Sequence, residues 1–297
     1  MSNSRKNDIN DSNILIGTSG WGYDEWVGPF YPKGLKSKDF LHYYSQIFYT
    51  NEINTTFYQI PSHRLVRGWA TRTPSNFVFS AKLPRVVTHK HKLNIDACIE
   101  DLEYYLMSMD PLIQANKLIA FLIQLPPSFT KEEHFSNLKD FIENWPEDYQ
   151  EARYNLVVEF RHKSWMNQEV FDYLRNNALT YCSVIEPLLP PRMNVTNKEF
   201  AYIRFHGYGE NIWFNYLFSE EEIKKWSNKV IQVVREAEKI GIYFNNHFSG
   251  YAAKNSFMMM KELEIQPRNY PRDVNILEIK KRSGTISEGQ TGLDKFL

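Results

Sequence analysis

Eight short apolar runs punctuate this chain, and nearly all of them end in a polar residue that an ordinary buried strand does not tolerate. They cover residues 14–18, 48–54, 77–82, 118–124, 156–159, 179–185, 200–206 and 242–246. Most of the intervening segments are long enough for a helix and read as one. Strand alternating with helix calls for parallel pairing, and eight such units predict closure into an α/β fold, a single-domain (β/α)8 TIM barrel. The alternation runs unbroken from 14 to 263. The expected organisation is a flexible tail over 1–13, a barrel domain over 14–282 and a second flexible tail over 283–297.

Helices are expected over 37–48, 63–70, 94–109, 131–144, 167–176, 219–239 and 249–263. Ser219 followed three residues later by Glu222 is a capping-box start, and it opens what reads as the longest helix. After the sixth strand, Glu186-Pro-Leu-Leu-Pro-Pro-Arg-Met193 is too rich in proline for a normal helix and predicts a loop. A short extra strand is expected over 274–279. The first strand-to-helix connection, 19–34, carries so many Trp and Tyr residues that it must bury them, which predicts a wall or lid at the barrel mouth.

Of the 297 residues, 42% are apolar, and Lys plus Arg equal Asp plus Glu at 35 each. Zero formal charge removes indiscriminate phosphate binding as a global property, so nucleic-acid contact would need a local patch. Two cysteines, Cys98 and Cys182, exclude a disulfide framework and a cysteine-rich zinc site. Residues 1–13 are polar and lack the apolar stretch of a secretory signal, and no run of 18 apolar residues occurs anywhere. A cytoplasmic protein without membrane contact is the expectation.

Side chains alternate along a strand, so residues two apart share a face. Glu52 with Asn54, Ser80 with Lys82, and Arg204 with His206 are such pairs, while Gln124, Glu159, Asn245 and Asn246 stand at other strand ends. If these faces turn inward, they converge at the C-terminal rim, where this fold places its chemistry. Each residue alone reads equally well as an internal ion pair or a loop cap. Leaving the whole set unpaired would cost about 1–3 kcal/mol per group, which favours a ligand-facing role for the set.

Glu159-Phe-Arg-His-Lys-Ser-Trp165 is the densest motif. Glu159 is expected to act as general acid or base, with His206 as a second proton-transfer group and Glu52 as a third candidate catalytic residue. Arg161, Arg204 and Lys82 would hold an anion, although an internal Glu159–Arg161 pair with Trp165 as packing accounts for the same residues. Asn54, His89, Gln124, Trp165, Asn245, Asn246, Trp21 and Tyr23 complete the expected substrate contacts. The stretch 82–92 holds several Lys, Arg and His residues that suit a phosphate, or simply a solvated loop. Glu52, Glu159, His89, His206 and His247 offer a divalent metal suitable ligand types, but without a local ligand spacing such as His-Glu-x-x-His.

Gly17-Thr-Ser-Gly-Trp-Gly-Tyr-Asp-Glu-Trp26, Glu52-Ile-Asn-Thr-Thr-Phe-Tyr58, Gln124-Leu-Pro-Pro-Ser-Phe129, Glu159-Phe-Arg-His-Lys-Ser-Trp165, Arg204-Phe-His-Gly207 and Phe244-Asn-Asn-His-Phe-Ser-Gly250 together resemble the YecE-like family. Phe30-Tyr-Pro32, Lys82 with Thr88-His89, and Asn255 add to the resemblance. It implies a TIM barrel of unknown function across about residues 14–263. Similarity of that family to endonuclease IV-type and xylose isomerase-type barrels implies a DNA-related role by fold analogy alone. Here the strand ends carry more Asn, Gln, Lys and Arg than a three-metal cluster needs.

The last eight residues, Gln290-Thr-Gly-Leu-Asp-Lys-Phe-Leu297, resemble the sliding-clamp (PCNA) interaction peptide of archaeal and eukaryotic replication and repair proteins. In one 3₁₀ turn Leu293 and Phe296 would form an apolar plug beside Leu297, with Gln290 entering a separate polar pocket. The resemblance implies an archaeal source and a clamp partner, and a tail packed on its own barrel is the alternative. The sequence thus predicts a clamp-associated barrel acting on DNA or a nucleotide-derived phosphate, with phosphodiester hydrolysis as its candidate reaction. Two alternatives are an enzyme of sugars or sugar phosphates and a non-catalytic clamp accessory that binds a ligand.

Overall fold

In a computed structural model, residues 13–150, 154–271 and 274–281 are described. Eight strands close into a barrel in sequence order: β1 Ile14–Ser19, β2 Thr50–Ile53, β3 Val78–Lys82, β4 Leu118–Gln124, β5 Asn155–Glu159, β6 Thr180–Ile185, β7 Phe200–Phe205 and β8 Lys239–Phe244. Every neighbouring pair is parallel, and β8 pairs back to β1 with Ile14 opposite Ile240. The expected TIM barrel is the observed one.

The α-helices are α1 Phe40–Ser45, α2 Thr55–Tyr58, α3 His63–Arg72, α4 Ile95–Gln114, α5 Lys131–Glu143, α6 Gln168–Asn176, α7 Glu220–Val234 and α8 Tyr251–Glu262. Side-chain caps start several of them. Ser62, Asn94 and Asn167 each accept from a backbone N–H one turn on, and Ser219 with Glu222 forms the expected capping box of α7.

Three local expectations need correction. The longest α-helix is α4 rather than α7, because α4 continues through Pro111 to Gln114. Pro111 forfeits one hydrogen bond, yet it and Leu112 are buried, and burying an apolar side chain gains about 1.5–3 kcal/mol. Helix α7 stops at Val234, and Lys239 already belongs to β8. Within 274–279 the chain makes a 3₁₀ turn, Ile276–Glu278, instead of a strand, since the barrel is closed and offers no edge to pair with.

The barrel has two apolar layers. Ile16, Ile53, Phe79, Phe121, Ile123, Val158, Ile203, Phe205, Ile242 and Phe244 form the buried layer that packs with helix residues such as Leu102, Leu138, Val170 and Val230. On the opposite strand parity, Leu15, Ala120, Leu122, Val157, Cys182, Val184, Tyr202 and Tyr243 fill the interior. Apart from Asn246, the polar strand ends share this second parity. Among the described residues no helix is long and apolar enough to cross a membrane.

Candidate functional site

The interior is polar from its middle upward, and the groups rise in layers. Tyr243 and Thr50 share a hydroxyl hydrogen bond of 2.8 Å. Above them the Tyr202 hydroxyl lies 2.7 Å from both Glu52 Oε2 and Ser80 Oγ, donating to the carboxylate and accepting from the serine. Next comes Arg204, which donates from Nη2 to Glu52 at 2.7 Å and from Nη1 to Glu159 at 2.6 Å. One guanidinium thus bridges carboxylates from strands on different sides of the barrel.

Arg161, two residues beyond Glu159, bends back to it, donating from Nε at 2.6 Å, and pairs on its other side with Glu186. Glu52, Glu159, Arg161, Glu186 and Arg204 are all buried. Burial alone would push the Glu159 carboxyl up, but the charges of Arg161 and Arg204, with His206 and Lys82, more than offset it and hold the group well below the carboxylate range. Glu186 goes the other way, because burial outweighs its Arg161 partner.

His206 lies directly against this network. Its Nε2 is 3.0 Å from Arg161 Nη2 and 3.3 Å from Arg204 Nη1. Guanidinium nitrogens only donate, so Nε2 faces them as an acceptor, and Nδ1 lies 3.0 Å from the Asn245 amide nitrogen. Burial and then the two arginines drive its pKa well below the ordinary value. Asn245 is in turn hydrogen-bonded to Asn54 at 3.3 Å. Immediately after His206, Gly207 has φ +104°, and a Cβ there would meet the Trp213 carbonyl oxygen at 2.5 Å. Only glycine allows the chain to leave β7 at that angle.

Lys82 ends β3 on the same interior face. Its Nζ lies 3.9 Å over the Phe57 ring and has no hydrogen bond or ion pair among the described residues. Burial first, then the positive charge of Arg204, lowers its pKa to about 7, although Glu159 and Glu52 pull the other way. His89 stands edge-on to the same Phe57 ring at 4.8 Å, and burial followed by the charges of Lys82 and Arg85 lowers it to about 3. Thr88 Oγ1 donates to the Pro84 carbonyl and so accepts from His89 Nδ1 at 2.9 Å, which leaves Nε2 as a buried acceptor without a partner.

Tyr23 is the aromatic of the first loop that reaches the rim. It stacks on His247 at 4.6 Å, and His247 continues into Phe214 and Phe248. The rest of that loop mostly folds away: Phe30 and Tyr31 are buried against α1, with Tyr31 stacked on Phe40 at 4.2 Å, while the buried Trp26 packs on Phe30 and Tyr23 and donates to the His247 carbonyl at 2.6 Å. The expected lid is thus mainly an outer pack, with Tyr23 as its contribution to the mouth.

Glu52, Asn54, Lys82, Gln124, Glu159, Arg161, Arg204, His206 and Asn245 share the interior strand parity, Gln124 standing opposite Glu159 in register. Three expected site residues do not join them. Asn246 has the opposite parity and ties the Tyr216 carbonyl to Asn255 at 2.7 Å each. Trp165 is packed between Phe160 and Phe129 and donates to the Phe129 carbonyl. Trp21 lies against Trp69 and the outward-facing Phe79. As for the candidate metal ligands, arginines hold Glu52 and Glu159, guanidiniums cap His206 Nε2, and His247 belongs to the aromatic wall. Among the described residues no group of three or more His, Cys, Asp or Glu side chains is arranged to hold a metal.

Residues 15–276 match the family described as protein of unknown function DUF72. The chain belongs to the DUF72 family. It is 25% identical over 278 residues to the UPF0759 protein YunF of Bacillus subtilis, covering 85% of this chain and 95% of that protein. UPF0759 protein YecE of Escherichia coli K12 is 28% identical over 60% of each chain, in keeping with the YecE-like resemblance. In solved structures, a DUF72 family protein of Thermotoga maritima (TM1631) is 35% identical with a TM-score of 0.75, covering 84% of this chain and 99% of its own. Another, EF0366 of Enterococcus faecalis, is 25% identical with a TM-score of 0.72, covering 85% and 98%. These relatives are bacterial and lend no support to the archaeal source expected from the tail.

Two network members of this DUF72 chain went unrecognised in the sequence. Glu186 is hidden at the head of the proline-rich loop, and Tyr202 looks like an ordinary strand aromatic. The signal for both was strand parity, since Glu186 continues the Cys182 and Val184 face and Tyr202 stands two residues before Arg204. Gln290, Leu293, Phe296 and Leu297, like both expected tails apart from Asn13, lie outside the described residues.

Proposed function

We propose that this DUF72 chain is an enzyme acting on a sugar or closely related polyhydroxylated compound at the C-terminal rim of the barrel. The observation that carries this reading is which polar groups are left over. Arg161 spends Nε and both terminal nitrogens on Glu159, Glu186 and His206, and Arg204 spends its terminal nitrogens on Glu52 and Glu159. A phosphodiester is an acceptor and would compete with three carboxylates for terminal guanidinium nitrogens already engaged, leaving it Arg204 Nε and the Lys82 amine.

The unpartnered acceptors ask for a ligand that donates. Glu186 Oε1 and His89 Nε2 are acceptors, and the Asn54 amide has one end free. A compound rich in hydroxyl donors satisfies them, and the Tyr23–His247 wall offers an apolar face for the carbon side of a sugar ring. Calorimetric titration with a panel of neutral aldoses and ketoses should show saturable binding that Glu186→Gln and Asn54→Ala each weaken about ten-fold, the worth of one hydrogen bond to a buried or charged group. Sugar-independent binding of duplex DNA, steeply salt-dependent and abolished by Ala at Arg85, Lys90 and Lys92, would instead support the nucleic-acid reading.

The tail motif carries a second, independent reading, association with a sliding clamp. It lies beyond the family match at 15–276, so it would be a property of this chain rather than of DUF72. A peptide spanning 287–297 should bind a PCNA-type clamp in calorimetry, and Leu293→Ala with Phe296→Ala should cost about 2 kcal/mol or more per anchor. Failure of the unaltered peptide to bind removes the link to replication and repair.

A further inference from the structure

We propose that Lys82 is a covalent nucleophile that forms an imine with the carbonyl carbon of the compound bound at the rim. This rests on the polyhydroxylated-ligand reading and narrows it to substrates that present an aldehyde or ketone.

The inference comes from how the amine is held. Lys82 is only 8% exposed, and its backbone is fixed because its carbonyl oxygen accepts from Thr56 Oγ1 at 2.7 Å and from the Tyr105 hydroxyl at 3.2 Å. A buried ammonium normally takes a carboxylate, and the interior has three. All three are held by arginines instead, so Nζ rests on the Phe57 ring. Arg204 from β7, Glu159 from β5 and Arg161 just beyond it, Glu52 from β2 and His89 from the turn after β3 are the charged and titratable groups around it. Burial first, then Arg204 and the lack of a dedicated carboxylate, favour the neutral amine, the form with a lone pair to donate. A purely structural lysine would gain from a partner. This one has no carboxylate partner among the described residues.

The step balances without a co-reactant. The Nζ lone pair forms the C–N bond as the carbonyl π pair moves to oxygen, giving a carbinolamine. Both amine hydrogens then leave with that oxygen as one water, and a C=N bond remains. His89, neutral and on the same Phe57 ring, has its Nε2 lone pair free to relay a proton between nitrogen and oxygen.

The test incubates the full-length chain with dihydroxyacetone and sodium cyanoborohydride and maps the reduced adduct by peptide mass spectrometry. An ordinary lysine, with its pKa near 10.5, is almost wholly protonated at neutral pH, whereas Lys82 titrates at about 7. Labelling of Lys82 at pH 7 should therefore exceed that of any surface lysine by about ten-fold or more. Its rate should rise with pH to a plateau above about 7. Lys82→Arg should lose the adduct while keeping the folded far- and near-UV circular dichroism. Adducts spread evenly over surface lysines, or a Lys82 rate that climbs only above pH 10, would overturn the proposal. Parallel titrations with neutral sugars and with their alditols, which lack the carbonyl, separate the two layers. Sugar and alditol binding without a Lys82 adduct sinks the imine alone, and no binding of either kind with no adduct sinks the polyhydroxylated-ligand reading with it.

Discussion

Glu159→Gln is expected to lower the stability of the folded chain by about 3–5 kcal/mol at pH 7, the largest loss of any isosteric change in the barrel. Glu159 is fully buried and accepts from two guanidiniums, Arg161 and Arg204. A glutamine there keeps the shape but removes the charge that balances both arginines, and it turns an NH₂ donor toward groups that are themselves donors. Two buried cations are then left with Glu52 and Glu186 alone. Urea unfolding at pH 7 should show a lower midpoint at unchanged slope. The pH sense is defined by the native carboxyl lying below its ordinary value of 4.5. Its contribution is fully present above 4.5 and is lost as pH falls toward the native value, so the gap between the two proteins should narrow in acid. A gap below about 1 kcal/mol at pH 7 would show that the network does not hold the barrel together.

Lys82→Met is expected to do the reverse, stabilising the protein by roughly 2–4 kcal/mol at pH 6. The native amine titrates at about 7 against an ordinary 10.5. Between those values the unfolded chain binds a proton that the native state does not, so native stability rises with pH across the window. Below about 7 the native state must carry the buried charge and bears its full cost. Methionine removes that cost and fills the space over Phe57. The gain in melting temperature should be largest at pH 6 and should fade toward pH 10.5, where the unfolded amine has also lost its proton. A gain independent of pH would mean that packing, not charge, explains it. A residue whose removal stabilises the fold is kept for some other purpose, the pattern expected of a chemical group.

The architecture was legible because it depends on local signals repeated eight times. Apolar runs of strand length separated by helical segments leave few closed solutions, and the period of two along each strand already assigned Glu52, Lys82, Glu159, Arg204 and His206 to one face. The same rule, carried one residue too far, enlisted Asn246, which has the opposite parity and serves the Asn255 tie. Aromatic richness misled in a similar way, since a Trp is equally at home at a barrel mouth and between two helices, and Trp21 and Trp165 are packing residues.

Who pairs with whom was not in the sequence. Arg161 and Arg204 read as anion holders because an unpaired arginine at a strand end is one, and only closure of the barrel brings Glu186, Glu52 and Glu159 within reach of them. These contacts join residues up to 152 positions apart, and no local pattern encodes them. The sequence by itself determined the barrel, its single polar rim and most of the side chains that face it, since each follows from periodicity within a few residues. Tertiary structure decided which charges cancel, leaving Lys82 as the unpaired amine, because pairing depends on distances set only when eight strands meet.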